Sequence, residues 1–492
     1  MKKLVLPVLA LCTVQSFAQK VGKPDSYAKT ITADDLKRHL YIVASAEMEG
    51  RETASPGQKK AAAYIENHFK QLGLQPGNNG SYQQYYDVYQ DSLTGASLEV
   101  NGQAYQLDKD FSTSANNIPA TMRFSEVTVI GASANLDSVK NANLAGKLVL
   151  LVGNVPPPTR GQSGGLYSTL LSKGIGGLLT VATNYPRPAS NRKGNQYLSA
   201  FRRALTPQAF SISEGVAKSI TGDYDALKGN LAVMQSFPAN VMLDVRKATT
   251  TAQSSNVIAV LPGTDLKDQY LFVTAHYDHL GKRDSVIYYG ADDDGSGTVG
   301  VLEIAEAFAK AKAAGNGPRR TVVFMTVSGE EKGLWGSDYY SSHPIFPLDK
   351  TTADLNIDMI GRIDTERTSG DTTNYIYVVG DDKLSSDLRT ISEGVNKKYT
   401  KLTQDYKFND PNDQQRIYFR SDHYNFAKKG VPIIFYYDGM LKADYHRPTD
   451  TPDKINYTLQ AKRAQLVFYT AWEMANRNDM LKRDIPLDGA TR

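Results

Sequence analysis

The stretch that most constrains this chain is Leu271–Gly297, LFVTAHYDHLGKRDSVIYYGADDDGSG. Leu271 to Ala275 are mostly apolar and read as a buried strand, which runs out at His276, Asp278 and His279. A short loop then delivers Asp292, Asp293 and Asp294, followed by glycines and an apolar-periodic run from Val299. Three successive aspartates beside a hydrophobic helix repel one another, so either solvent or a cation must sit among them. Taken alone, the stretch also fits an acidic loop capping a helix.

The chain has 492 residues with 41% hydrophobic content, enough for two or more cores. Lys2 and Lys3, an apolar stretch from Leu4 to about Val14, and Ser16-Phe17-Ala18 together have the pattern of an export signal, with cleavage expected after Ala18. That stretch is too short for a membrane span, and no later apolar run is long enough. A periplasmic or extracellular protein without stable membrane insertion is expected. Cys12 is the only cysteine and would leave with the signal, so any metal must be held by His, Asp and Glu. The formal charge of +4 includes Lys2 and Lys3, and the basic pairs are scattered, so nothing points to nucleic acid.

Thr32, with an acid three residues on, predicts a helix cap ahead of Leu36, Leu40 and Val43, and Gln58–Leu72 repeats its apolar residues at helical spacing. From about 120 to 240 the texture turns to short strands and glycine turns, with no histidine between His68 and His276. This reads as a small β-rich domain inserted into a larger one formed by 19–119 and 241–492, with 1–18 as the signal. In the larger part, apolar strands at 256–261, 270–275, 320–327, 353–357, 375–379 and 431–436 are separated by helical patterns. That alternation predicts an α/β three-layer sandwich with a mostly parallel central sheet, whose sites lie at the strand carboxyl ends.

Polar residues at those ends form a set: Ser328-Gly329-Glu330-Glu331 after one strand, Asp358 after another, then Ser421-Asp422-His423 and Asp444-Tyr445-His446. A lone histidine there would be an ordinary core or surface group, and a lone Glu-Glu pair a solvated helix start. Gathered with carboxylates and without cysteine, they point to a metal site of nitrogen and oxygen ligands. One glutamate of the pair can bind metal while its neighbour stays free as a base. No serine sits in the strand-elbow context of a serine hydrolase.

Six words in order, AHYD from Ala275, GADDDGSG from Gly290, GEEKGLWGS from Gly329, NIDMIGR from Asn356, Ser421-Asp422-His423 and YHRPTDT from Tyr445, resemble the co-catalytic dizinc aminopeptidases related to glutamate carboxypeptidase and the transferrin receptor. The resemblance covers the larger domain, includes Glu49-Gly50-Arg51, and extends loosely to the insert, which resembles a protease-associated domain. It implies two zinc ions bridged by Asp293, with His276 and Asp358 completing one site and Glu331 and His446 the other. It further implies Glu330 as general base to a dizinc-bound hydroxide, Asp278 as the carboxylate orienting His276, and Tyr418 as the phenol holding the oxyanion. His423 and Arg362 are expected in the substrate pocket. The implied activity is removal of N-terminal residues from peptides. Its alternatives are a carboxypeptidase or dipeptidase, a single-zinc glutaminyl cyclase, and a metal-free receptor-like protein.

Overall fold

The computed structural model describes residues 22–155, 165–189, 191–199 and 207–487. The signal expected at 1–18 lies outside the described residues. Two compact units appear, one formed by residues 1–86 with 254–492, the other by 87–253.

Four long helices and seven strands organise the larger unit. The helices are α1 (Ala33–Val43), α2 (Pro56–Gln71), α3 (Gly297–Ala313) and α4 (Tyr457–Asn476). The strands are β1 (Met234–Leu261), β2 (Leu266–His276), β3 (Arg320–Val327), β4 (Thr351–Ile357), β5 (Tyr375–Val379), β6 (Thr403–Asp405) and β7 (Ile433–Tyr437). Of β1, the part from Ser254 belongs to this unit. The strand order is β6-β5-β7-β4-β2-β3-β1. At the centre β7, β4, β2 and β3 run parallel, while β5 pairs antiparallel with β7 and parallel with β6, and β1 pairs antiparallel with β3. The sheet is therefore mixed around a parallel middle.

Side-chain alternation along these strands separates two cores, because successive residues of a strand face opposite sides of the sheet. Leu271, Val273 and Ala275 of β2 join Val322 and Phe324 of β3 beneath α1, α2, α3 and α4. Phe272 joins Val323, Met325 and Val327 on the other face, against Tyr340 of the helix Trp335–Ser342 and Phe426 of His423–Ala427. Fully burying one such Leu, Val or Phe is worth about 1.5–3 kcal/mol. The result is three layers, as the alternation of elements predicts.

Helix starts follow local chemistry. Thr32 Oγ1 accepts from the Asp35 amide at 3.1 Å, and Ser55 Oγ from that of Gln58 at 3.3 Å, with Pro56 in the first turn of α2. α3 instead starts directly from a tight turn over Ala291–Ser296. Gly297 sits where a Cβ would fall within 2.5 Å of the Asp294 carboxylate, so only glycine fits.

The second unit pairs Thr121–Gly131 antiparallel with the start of Met234–Leu261. Thr121–Gly131, Leu148–Val152, Gly177–Val181 and Gln208–Ile212 then follow side by side in parallel, with Phe111–Thr113 at the edge. This unit begins at Asp87 and ends at Gln253, rather than near 120 and 240. Leu93, Leu98, Val100 and Phe111 account for the earlier start: they complete the same core as Val127, Leu148 and Phe210.

Candidate metal centre

His276, the last residue of β2, is 1% exposed. Its Nε2 lies 3.2 Å from Asp293 Oδ1, 3.6 Å from Asp358 Oδ1 and 4.0 Å from Glu330 Oε2. Asp358 directly follows β4 and Glu330 lies three residues past β3. Three neighbouring parallel strands therefore converge on one point at their carboxyl ends.

A second set shares Asp293. His446 Nε2 lies 3.1 Å from Asp293 Oδ2 and 3.0 Å from Glu331 Oε2, while His279 Nδ1 is 2.8 Å from Glu331 Oε1 and 3.9 Å from Asp293 Oδ2. Gly329, at φ +76°, lets the chain turn between β3 and the two glutamates. The five expected ligands are thus together, and His279 joins them.

The three aspartates divide their work. Asp294 accepts from the amides of His276, Gly297 and Met359, and Asp292 from that of Gly361. Both are fully buried staples that fasten this turn to the ends of β2 and β4. Asp293 alone faces the histidines, held from behind by Asp450, whose carboxylate accepts from the amides of Asp292 and Asp293 at 3.0–3.2 Å. Arg51, of the Glu49-Gly50-Arg51 word, donates to the carbonyls of Val43, Tyr277, Tyr289 and Gly290 at 2.7–2.9 Å. It ties the end of β2 to the loop that delivers the aspartates.

Electrostatics match this division. Burial opposes charge on Asp293, yet the imidazoles of His276 and His446 hold its carboxyl well below the usual range. Burial likewise works against a charged His446, but Asp293 and Glu331 raise it to about 10. Glu330 moves the other way: burial first, with Glu331 and Asp358 adding and His276 opposing, pushes its carboxyl well above the ordinary value. Adjacent glutamates in one pocket therefore differ in proton affinity.

His276 Nε2, both nitrogens of His279, His446 Nε2, Asp293 Oδ2 and Glu331 Oε1 are buried with no hydrogen-bond partner. Such atoms normally find partners, since leaving each one bare costs about 1–3 kcal/mol. Aimed at common points, with imidazole and carboxylate donors only, they fit a divalent metal of zinc's type. His276, Asp293 and Asp358 bring one atom each within 4.8 Å of one another, and His279, Asp293 and Glu331 do the same.

Other expected residues fall elsewhere. Asp278 meets His276 through its carbonyl, 3.1 Å from Nδ1, while its carboxylate is at 3.6 Å and accepts from Thr53 Oγ1 and the Glu330 amide. The hollow at the metal centre is lined by Asp293, Glu330, Asp358, Arg420, Tyr437 and Tyr445, with Ile417 in its wall. Tyr418 is not in that wall. It follows Ile417 in the short turn Ile417–Phe419 and lines a separate hollow with Lys383 and Phe408. His423 is a core residue, stacked on Phe435 with Nε2 at 2.8 Å from the Tyr418 carbonyl. Arg362 is bound to Asp444 at 3.0 Å and does not reach the hollow. Tyr445, which sequence reasoning passed over, stacks on His446 and takes a hydrogen bond from Arg420 at 3.1 Å. Its place beside His446 in the YHRPTDT word was the available signal.

Residues 256–471 match the sequence model of Peptidase family M28. Within the larger unit, this segment is therefore similar to the M28 peptidases. A probable leucine aminopeptidase of Arthroderma otae is 32% identical over 228 residues, covering 45% of this chain and 58% of its own. One of Trichophyton verrucosum is 28% identical over 283 residues, covering 51% and 73%. The match thus spans little more than half the length of the first of these relatives. In fold, the chain is similar to an aminopeptidase from Aneurinibacillus sp. strain AM-1, with a TM-score of 0.58, 18% identity, and 94% and 99% of the two chains covered. A zinc aminopeptidase from Bacillus subtilis gives a TM-score of 0.53 at 19% identity, covering 93% and 99%. The M28 match runs from residue 256 to 471 and so contains every histidine and carboxylate gathered at the metal centre, though not Arg51 or Thr53 behind it.

Proposed function

We propose that the chain is a zinc-dependent exopeptidase that removes N-terminal residues from peptides. The observation that carries this is the hollow in which Glu330, Asp293 and Asp358 stand together beside unpartnered imidazole and carboxylate atoms. His276 and Asp358 would hold one zinc, Glu331 and His446 with His279 the other, and Asp293 would serve both. When bound, such ions supply Lewis acidity to a water and to a peptide carbonyl.

Glu330 is the proton carrier. It reaches the hollow, it is tied to no other side chain by a salt bridge shorter than 4.0 Å among the described residues, and its raised proton affinity suits a group that takes a proton and returns it to the leaving amine. Its amide is fixed by Asp278, which sets the carboxylate's position. Tyr445 is the donor best placed to hold a developing oxyanion, with Arg420 holding its hydroxyl. Names of relatives support the aminopeptidase reading. The Lys2-Lys3 start and the apolar run behind it support export; among the described residues no helix is long and apolar enough to cross a membrane.

Arg420 in the wall favours a second reading, a carboxypeptidase whose guanidinium takes the substrate's terminal carboxylate. Purified protein assayed on aminoacyl arylamides and on N-blocked peptides, with and without chelator, separates the two. Cleavage of the arylamides, abolished by chelation and restored by zinc, is expected. Cleavage of the N-blocked peptides alone would select the carboxypeptidase, and activity untouched by chelation would refute both.

A further inference from the structure

Away from the metal centre, α1, α2 and α3 bring a second set of imidazoles and carboxylates together. His39 lies on α1, His68 near the end of α2, and Glu303 and Glu306 three residues apart on α3, hence on one side of that helix. His39 is 4% exposed and Glu303 1%. These are helix faces that otherwise bury Leu36, Ala62, Ile65 and Phe308, where polar groups carry a cost unless something satisfies them.

What is present does not satisfy them fully. His39 Nδ1 meets Tyr64 Oη at 2.7 Å, and its Nε2 is 3.3 Å from Glu303 Oε1 without hydrogen-bond alignment. The His39 and His68 rings meet edge to face, 4.7 Å between centroids. His68 Nε2 is also buried and unpartnered, as is Glu303 Oε1. Glu306 Oε1 is paired with Lys310 at 2.6 Å, which leaves its second oxygen available. One atom each of His39, His68 and Glu306 lies within 4.8 Å of the others, and a hollow of about 530 Å³ lined by all three gives access.

A Tyr64–His39–Glu303 network would be complete by itself and would not need a second imidazole pressed against it. The two rings meet edge to face, and the Nε2 of each is left without a hydrogen bond. Two imidazoles and a carboxylate are the donor set of zinc and similar borderline ions, and Tyr64 supplies the outer hydrogen bond that fixes which nitrogen of His39 is free.

We propose that His39, His68 and Glu306 form a zinc site separate from the M28 metal centre, fastening α1, α2 and α3 to one another. Its role is structural: its three ligands come one from each of three packed helices, and the hollow at the metal centre includes none of them. α3 begins three residues after Asp294, so the site steadies the helix that carries the aspartate turn.

The test is the number of zinc ions bound per chain at equilibrium, with the zinc-induced rise in Tm and the activity at saturating zinc, for wild type and His68→Gln. The variant is expected to bind one equivalent fewer and to show a smaller rise in Tm, with kcat/KM unchanged. Repeating the pair in an Asp293→Ala background, which disables the M28 centre, keeps the count independent of how many ions that centre takes. There one equivalent is expected to remain and to vanish when His68→Gln is added. If His68→Gln fails to fold, Glu306→Gln on the partly exposed rim gives the same reading. Equal zinc content and equal zinc-induced Tm change in wild type and the variants would overturn the proposal.

Discussion

His279 Nδ1 stands 2.8 Å from Glu331 Oε1, and neither atom has a hydrogen bond. A short approach without hydrogen-bond alignment is what two lone-pair donors directed at one ion produce. His279 is 0% exposed, and a Cβ on Gly290 would lie 2.4 Å from its ring, so the ring is held in place. Substituting His279→Ala is expected to weaken zinc at the Glu331–His446 position about 10–100-fold, in the range typical of residues that support a metal ligand. Competition between the apoprotein and a chromophoric chelator measures this, and unchanged affinity would make His279 a bystander.

The neighbouring glutamates are expected to fail differently. Glu330→Gln keeps shape and loses the proton carrier, so kcat should fall by about 10²–10⁴-fold with zinc content intact. Glu331→Gln touches a group lying 2.8 Å from His279 and 3.0 Å from His446, so its loss should appear as lower zinc occupancy, partly recovered in excess zinc. Metal content and kcat read on both variants decide the matter. Zinc loss in Glu330→Gln alone would exchange the two assignments.

Strand ends were readable because burial writes itself as runs of apolar residues, and the parallel sheet then dictates where their last polar residues gather. His276, Glu330 and Asp358 are placed by that logic alone. Which member of a polar cluster faces the site was less readable. Asp292, Asp293 and Asp294 are identical in type, and only backbone geometry turns one toward the histidines and two toward amides. Tyr418 and Tyr445 illustrate the same limit: a one-residue difference in a tight turn gives Ile417 to the wall and takes Tyr418 out of it. The start of the second unit was hidden because Leu93 and Leu98 sit on a strand with weak alternation, and their core partners lie far along the chain.

Arg51 is expected to be a stability residue with an effect on metal binding. Its guanidinium satisfies four carbonyls, those of Val43, Tyr277 and Gly290 in buried residues, and has no salt bridge among the described residues, so Arg51→Met would strand several buried acceptors. A buried group left unsatisfied costs about 1–3 kcal/mol, and several are released at once, so a loss above about 3 kcal/mol is expected in urea denaturation. Zinc affinity should fall with it, because Gly290 leads directly into the aspartate turn. A change below about 1 kcal/mol would mean the loop holds itself.

His423 gives a pH signature that no metal ligand is needed to explain. Burial pushes its imidazole down to about 3, with the Tyr418 carbonyl opposing weakly. The unfolded chain, with a histidine near 6.5, therefore binds more protons than the folded one between about pH 3 and 6.5, so this contribution to stability is complete above about 6.5 and is lost as pH falls through that window. The slope from this one group approaches about 1.4 kcal/mol per pH unit in the middle of the window. His423→Gln retains a donor for the Tyr418 carbonyl and removes the titration. Urea denaturation of wild type and variant, both in chelator so that zinc binding does not contribute, is expected to show the wild type losing stability relative to the variant from pH 7 down to pH 4. Parallel curves would mean that His423 is protonated in the folded protein, and its stacking on Phe435 would then have to hold an imidazolium.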